Sequence, residues 1–266
     1  MTRWTAILLA GERPGGDPLA RAEGAALKAL IPIAGEPMVS RVARTLLACP
    51  SIGDVVILAQ DPARLLALAP GWMADEPRLR SAIGNGGIST SLAAVAGGDA
   101  APWPVLVTTA DHPLLTVAMI EGFIAAAGDA DVAVAMAERA TVLAAYPDNK
   151  RTWLKLRDGA WSGANLFALQ SVRARGALQA WAAVEQDRKK AARLLVHFGP
   201  WLAVRALTRT IGLGDAIARA GRRLGLTARL VPMPQAEAAI DVDKPADLVL
   251  ATRILAARAA GGANSG

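Results

Sequence analysis

Short apolar runs alternate with longer stretches of helical spacing along the first half of the chain. Trp4 to Leu9 reads as a buried strand, and Pro37 to Ala48 carries apolar residues at helical intervals. Asp54 to Ala59 (DVVILA) is a second buried strand, and a helix is expected over Pro62 to Leu68. Further strands are expected over Pro104 to Thr109 and Asp131 to Met136. Strands covered on both faces read as unbroken apolar runs, as these do. The alternation predicts a Rossmann-like α/β fold with a mostly parallel sheet between two helical layers.

The second half is less regular. Trp153 to Leu156, Asn165 to Leu169 and Ala228 to Pro232 are strand candidates. Residues 171–225 look largely helical and rich in Arg and Lys, a basic insertion in the α/β pattern. Asp247 to Ala257 is expected as a last helix, begun after Pro245, and the small residues of 258–266 as a flexible tail. No repeat or long linker divides the chain, so residues 1–257 are expected to form a single domain.

Composition narrows the picture. Hydrophobic residues make up 53% and charged residues 20% of 266, a globular balance. The net charge of +6 suits anionic partners such as nucleotides, although arginine usage alone can produce it. At 4% aromatics no stacking platform for nucleic acid is present, and a nucleic-acid partner is not expected. The single cysteine, Cys49, cannot form an intramolecular disulfide and reads as a small buried hydrophobe. No uncharged apolar stretch is long enough to span a bilayer, and Ala6 to Ala10 is too short for a secretory signal. A cytoplasmic location is the expectation.

Candidate chemistry clusters where the expected strands end. The first strand runs into Leu9-Ala10-Gly11-Glu12-Arg13-Pro14-Gly15-Gly16, with Lys28 downstream. A Gly-rich loop after a strand lets backbone N–H groups approach phosphates, and Arg or Lys can neutralise a leaving pyrophosphate. The loop is neither a Walker A motif nor GxGxxG. Thr109-Ala110-Asp111-His112-Pro113 places a carboxylate at a strand end, where it can either cap a helix or hold Mg²⁺. Ile240-Asp241-Val242-Asp243-Lys244-Pro245 adds two more carboxylates, and Asp247 suits the first turn of the helix that follows. Gly84-Asn85-Gly86-Gly87-Ile88-Ser89-Thr90-Ser91 is a second Gly-rich loop entering a helix; its hydroxyls can either cap that helix or read a base or ribose. Asn165, within Gly163-Ala164-Asn165-Leu166-Phe167, can bind an acceptor, support the metal site or shape a turn. The two histidines, His112 and His197, have no metal-ligand spacing.

The Leu9-Ala10-Gly11-x-Arg13 loop, Lys28, and Ile33-Ala34-Gly35-Glu36-Pro37-Met38-Val39 resemble the opening of MobA-like nucleotidyltransferases. That class includes molybdenum-cofactor guanylyltransferase, sugar-phosphate nucleotidyltransferases and cytidylyltransferases, with a GT-A-type fold. Asp111-His112-Pro113 is similar to the class's metal-binding D-x-P turn, and Val242-Asp243-Lys244-Pro245 to its V-D-T-P stretch, with Lys244 in place of Thr. The resemblance implies transfer of a nucleoside monophosphate from GTP or CTP to a phosphorylated acceptor, with Mg²⁺ or Mn²⁺. It implies Arg13, Lys28 and Asp111 as catalytic residues, and Asp111 and Asp243 as metal ligands. Leu9, Ala10, Gly11, Gly86, Ser89 and Ser91 then meet the nucleotide, and Asn165 the acceptor. The loop before Lys28 is longer than usual in the class, so Arg21 competes with Arg13 for the triphosphate. The basic stretch from Arg188 to Arg223 reads by default as solvated faces of ordinary helices, with an acceptor lid, a homodimer surface or a peripheral contact with anionic lipid as further uses. A GT-A glycosyltransferase and a non-catalytic nucleotide-binding regulator are the rival readings.

Overall fold

The computed structural model describes residues 3–12, 15–185 and 200–263. Arg13 and the stretch 186–199, which includes His197 and the start of the basic segment, lie outside the described residues.

β1 (Trp4–Leu9) is the central strand. It pairs in parallel with β4 (Ile52–Ala59) on one side and β6 (Val105–Thr109) on the other. β5 (Leu79–Ile83) extends the parallel set beyond β4. On the far side, β9 (Gly159–Leu169) runs antiparallel between β6 and β7 (Val132–Glu138), and β10 (Ala228–Pro232) lies parallel to β7. With β8 (Leu154–Leu156) on β9, eight strands of the described residues form one mostly parallel sheet, ordered β10-β7-β9-β6-β1-β4-β5. The expected α/β architecture is therefore found. The chain leaves β1 toward β4 and β5, then crosses back to β6. That reversal opens a crevice at the carboxyl ends of these strands.

Alternate residues of each strand feed opposite faces. Ala6 and Leu8 join the core under α2 (Met38–Ala48) and α6 (Val117–Ala127). Ile7, Val56 and Leu58 pack on the other face with Leu92 of α5 (Ile88–Val95) and Leu178 of α8 (Ala174–Glu185). The apolar runs are unbroken because both faces are buried.

The Ile33-Ala34-Gly35-Glu36 segment is a tight hairpin between β2 (Pro32–Ile33) and β3 (Glu36–Pro37). Its two turn residues, Ala34 and Gly35, have φ of 49° and 80°, the left-handed pair that a two-residue hairpin with the strand twist requires. Lys28 sits just upstream, in a single 3₁₀ turn (Lys28–Leu30).

Several boundaries differ from the pattern reading. β9 begins at Gly159, and a bulge carries it past Asn165: Val134 pairs with Phe167 but Met136 with Gly163. Asn165 takes φ 50° there, a conformation that Asn tolerates better than most side chains. The last helix, α11 (Pro245–Ala263), runs six residues beyond Ala257, sustained by the Ala-rich sequence. Within the predicted basic insertion, α9 (Pro200–Leu207) and α10 (Leu213–Arg223) are helical.

Cys49 is buried, as expected, and its thiol donates to Glu121 Oε1 at 3.0 Å. Ser51 donates its N–H and hydroxyl to the same carboxylate, which ties the end of α2 to α6. Burial and the Glu121 carboxylate push the thiol pKa up to about 12. The unfolded chain loses this proton near 9 and the folded chain only near 12, so Cys49 reduces stability as pH rises through that window. In urea unfolding, wild type should lose more stability between pH 9 and pH 10.5 than Cys49→Ala does; equal losses would show that the thiol is not held neutral.

Candidate active site

A cleft of about 480 Å³ opens at the carboxyl ends of β1, β4, β5 and β6. Its walls include Leu9 at the end of β1 with Ala10 and Gly11 after it, Gln60 after β4, and Gly84, Gly86 and Gly87 after β5. Thr109 at the end of β6, Ala110 and Asp111 complete that side, and Lys28 also lines the cleft.

Lys28 Nζ donates to Asp111 Oδ2 and to Asp243 Oδ1, each at 2.6 Å. The carboxylates come from segments far apart in sequence, and the backbone explains their meeting. Val242 N–H donates to Asp111 carbonyl at 2.8 Å, fastening the approach to α11 onto the turn after β6. Asp247 accepts from the N–H groups of Asp243 and Lys244, which fixes that turn as a capping box does. Burial pulls the Lys28 pKa down, but Asp111 and Asp243 outweigh it and hold the ammonium protonated above its usual value. The other oxygen of Asp111, Oδ1, is buried and has no hydrogen-bond partner among the described residues.

That orphaned oxygen bears on metal binding. Among the described residues no three His, Cys, Asp or Glu side chains gather around one point. Mg²⁺ does not require them, because it takes one or two carboxylates and fills its remaining positions with phosphate oxygens and water. Asp111 and Asp243, hard oxygen donors brought together over one cation, fit such an ion.

A second cluster lies beside the first. Asp241 accepts from Arg151 Nη2 at 2.7 Å and from Asn165 Nδ2 at 3.1 Å, and Arg151 Nε donates to Ser162 Oγ at 3.2 Å. Asn165 thus holds Asp241, with its side chain placed by the β9 bulge, and it is not among the walls of the cleft. His112 is fully buried behind the site, and burial lowers its pKa to about 4, so it is neutral at pH 7.

Of the expected nucleotide contacts, Leu9, Ala10, Gly11, Gly86 and Ser91 line the cleft with Lys28 and Asp111. Ser89 is buried, and its hydroxyl donates to Glu185. Arg21 is exposed on α1 (Pro18–Ala22) and does not line the cleft.

Three residues at or beside the cleft were not singled out by pattern. Gln60 pairs with the backbone of Glu12 twice, accepting its N–H at 2.8 Å and donating to its carbonyl at 3.2 Å. A Cβ on Gly11 would stand 3.0 Å from the Gln60 side-chain amide oxygen, a tight contact that the glycine avoids. Glu185 reaches the Gly-rich loop from α8, and Arg151 comes from the segment before β8. A strand-end amide such as Gln60 carried a faint signal; the other two depend on the tertiary fold.

The fold, with its cleft at the strand ends, is that of an α/β nucleotide-binding domain. The family model of the MobA-like NTP transferase domain matches residues 6–205, and the chain belongs to that family. A hypothetical transferase structure from Thermus thermophilus is 30% identical over 93% of this chain and 100% of that one, with a TM-score of 0.75. A 4-diphosphocytidyl-2C-methyl-D-erythritol synthase from Anaerococcus prevotii shares the fold at 10% identity and a TM-score of 0.56, over 96% of each chain. A CMP:2-keto-3-deoxy-manno-octonic acid synthetase in complex with CTP does so at 16% identity and 0.60, over 97% of this chain and 100% of that one. No curated protein sequence matches the chain.

Gln60→Ala should release the Glu12 amide. Hydrogen exchange at Glu12 is then expected to rise by up to about tenfold, the scale of one lost hydrogen bond, with the melting temperature little changed. An unchanged exchange rate would show that the loop holds its shape without the clamp.

Proposed function

We propose that the protein transfers a nucleoside monophosphate from GTP or CTP to a phosphorylated small-molecule acceptor, in a reaction that depends on a divalent metal. The observation that carries this reading is the Lys28 ammonium between Asp111 and Asp243, with Lys28 and Asp111 lining a cleft walled by two Gly-rich loops. An oxygen of the acceptor phosphate attacks the α-phosphorus in line. The bond from that phosphorus to the bridging oxygen breaks, and pyrophosphate leaves with the electron pair. The attacking phosphate is already anionic, so no general base or covalent nucleophile is needed, and positioning and charge stabilisation suffice.

Each chain group has a task in this scheme. The Ala10 and Gly11 loop, stiffened by Gln60, presents backbone to the triphosphate. Lys28, and Arg13 within the same loop, stabilise charge on the departing pyrophosphate. Asp111 and Asp243 would hold Mg²⁺ or Mn²⁺, which when bound neutralises phosphate charge. Asn165 serves the acceptor side by fixing Asp241.

The pairing of Asp241 with Arg151 and Asn165 argues against Asp241 and Asp243 acting together as the D-x-D clamp of a glycosyltransferase. Among the described residues no helix is long and apolar enough to cross a membrane, and a reducing cytoplasm suits the free thiol. The basic stretch from Arg188 to Arg223 lies partly outside the described residues and enters no step.

The thermal-shift test uses ATP, CTP, GTP and UTP, each with and without Mg²⁺. GTP or CTP should raise the melting temperature by mass action, more so with Mg²⁺. Asp111→Asn should remove the Mg²⁺ increment and slow pyrophosphate release by on the order of a hundredfold or more. Stabilisation by a nucleotide sugar and by no triphosphate would overturn the proposal in favour of glycosyl transfer.

A further inference from the structure

The C-terminal end of α8 delivers a carboxylate into the wall of the cleft. Glu185 Oε1 accepts from Ile88 N–H at 2.7 Å, and Oε2 accepts from Ser89 N–H at 3.0 Å and from the Ser89 hydroxyl. Gly87 is fitted to this approach, since a Cβ there would stand 2.6 Å from Glu185 Oε2. Burial would raise the Glu185 pKa, but the hydrogen bonds from Ser89 and Ile88 hold it below the ordinary carboxylate value, so the side chain is an anion at neutral pH. The helix behind it is anchored, with Leu178 of α8 packed in one cluster with Leu92 of α5.

A carboxylate offers about four acceptor positions. The loop fills both on Oε2 and one on Oε1, which leaves one on Oε1 for the cleft that Glu185 lines. An acceptor-only anion at that place favours a ligand edge that carries an N–H and repels one that carries a carbonyl. Gly84, Gly86 and Gly87 beside it offer backbone and no other ionisable side chain.

We propose that Glu185 determines base specificity, accepting a hydrogen bond from the exocyclic amino group of the nucleotide base. This deepens the nucleotidyltransferase reading and rests on it. Cytosine and guanine present such an amino group, and uracil and hypoxanthine have a carbonyl or a hydrogen in its place.

The test is equilibrium binding of CTP against UTP, and of GTP against ITP, by calorimetry with Mg²⁺. Wild type should prefer the amino-bearing member of whichever pair it binds by roughly tenfold or more, the scale of a hydrogen bond to a charged group. In Glu185→Gln the amide oxygen keeps the two Ser89 donors in the place of Oε2, and the amide N–H₂ takes the place of Oε1 toward the cleft, losing the bond from Ile88 N–H. The preference should therefore collapse or turn toward UTP or ITP, which a structural role alone would not cause. Ser89→Ala keeps the carboxylate and should weaken all triphosphates alike with their order unchanged. Equal binding within each pair by wild type would overturn the role of Glu185 while leaving the transferase reading intact, and it requires no variant to fold. An unchanged order in a cooperatively folded Glu185→Gln protein would do the same. Failure of every triphosphate to bind would overturn both.

Discussion

Two carboxylates brought to one point at the end of a sheet must share a cation. Asp111 and Asp243 do so through Lys28, whose ammonium lies 2.6 Å from each. The Asp111 half of the interaction is only partly open to water, with the Lys28 side chain 13% exposed and that of Asp111 22%, whereas that of Asp243 is 50% exposed. Screening is therefore weaker at the Asp111 pair than at an open surface pair, and removal of the ammonium would leave two like charges facing each other. The geometry suits a site that exchanges cations. Positive charge holds the carboxylates together in the free protein, and the same carboxylates suit a metal-bound triphosphate.

The fold serves this point of convergence. β6 delivers Asp111 at its carboxyl end, and the Val242 N–H to Asp111 carbonyl bond holds the segment that carries Asp243 against it. The hairpin at Ala34 and Gly35 follows the turn that carries Lys28, and Gln60 fixes the first Gly-rich loop from the next strand. Because β1 is buried on both sides, its end is a rigid base for a loop whose backbone must keep its shape. Glu185 enters from a helix on the opposite face of the sheet from α2 and α6. The cleft thus draws on both helical layers.

Much of this was legible in the sequence. The parallel core strands were readable because burial on both faces leaves a continuous apolar run, as in Asp54 to Ala59. β5 was not, because Arg80 and Ser81 are exposed on a strand at the sheet edge. α6 was missed because its apolar residues form no clear stripe. Asp111 and Asp243 were legible as carboxylates at the ends of recognisable motifs, and the fold brings both to Lys28. The clamp of Gln60 on Glu12, the pairing of Arg151 with Asp241 and the reach of Glu185 to Ser89 were not legible. Each joins segments that no local spacing connects. Ser89 shows the limit of motif reading, for its hydroxyl is spent on Glu185 and it does not line the cleft.

The central claim is that Asp111 and Asp243 jointly hold a divalent ion with the triphosphate. Crystals grown with Mn²⁺ and a non-hydrolysable analogue of the preferred triphosphate would test it by anomalous scattering. The account predicts a manganese peak bonded to both Asp111 and Asp243, with Lys28 Nζ shifted off them toward phosphate oxygens. A manganese ion bound elsewhere in the cleft, with Lys28 still bridging the two carboxylates, would contradict it.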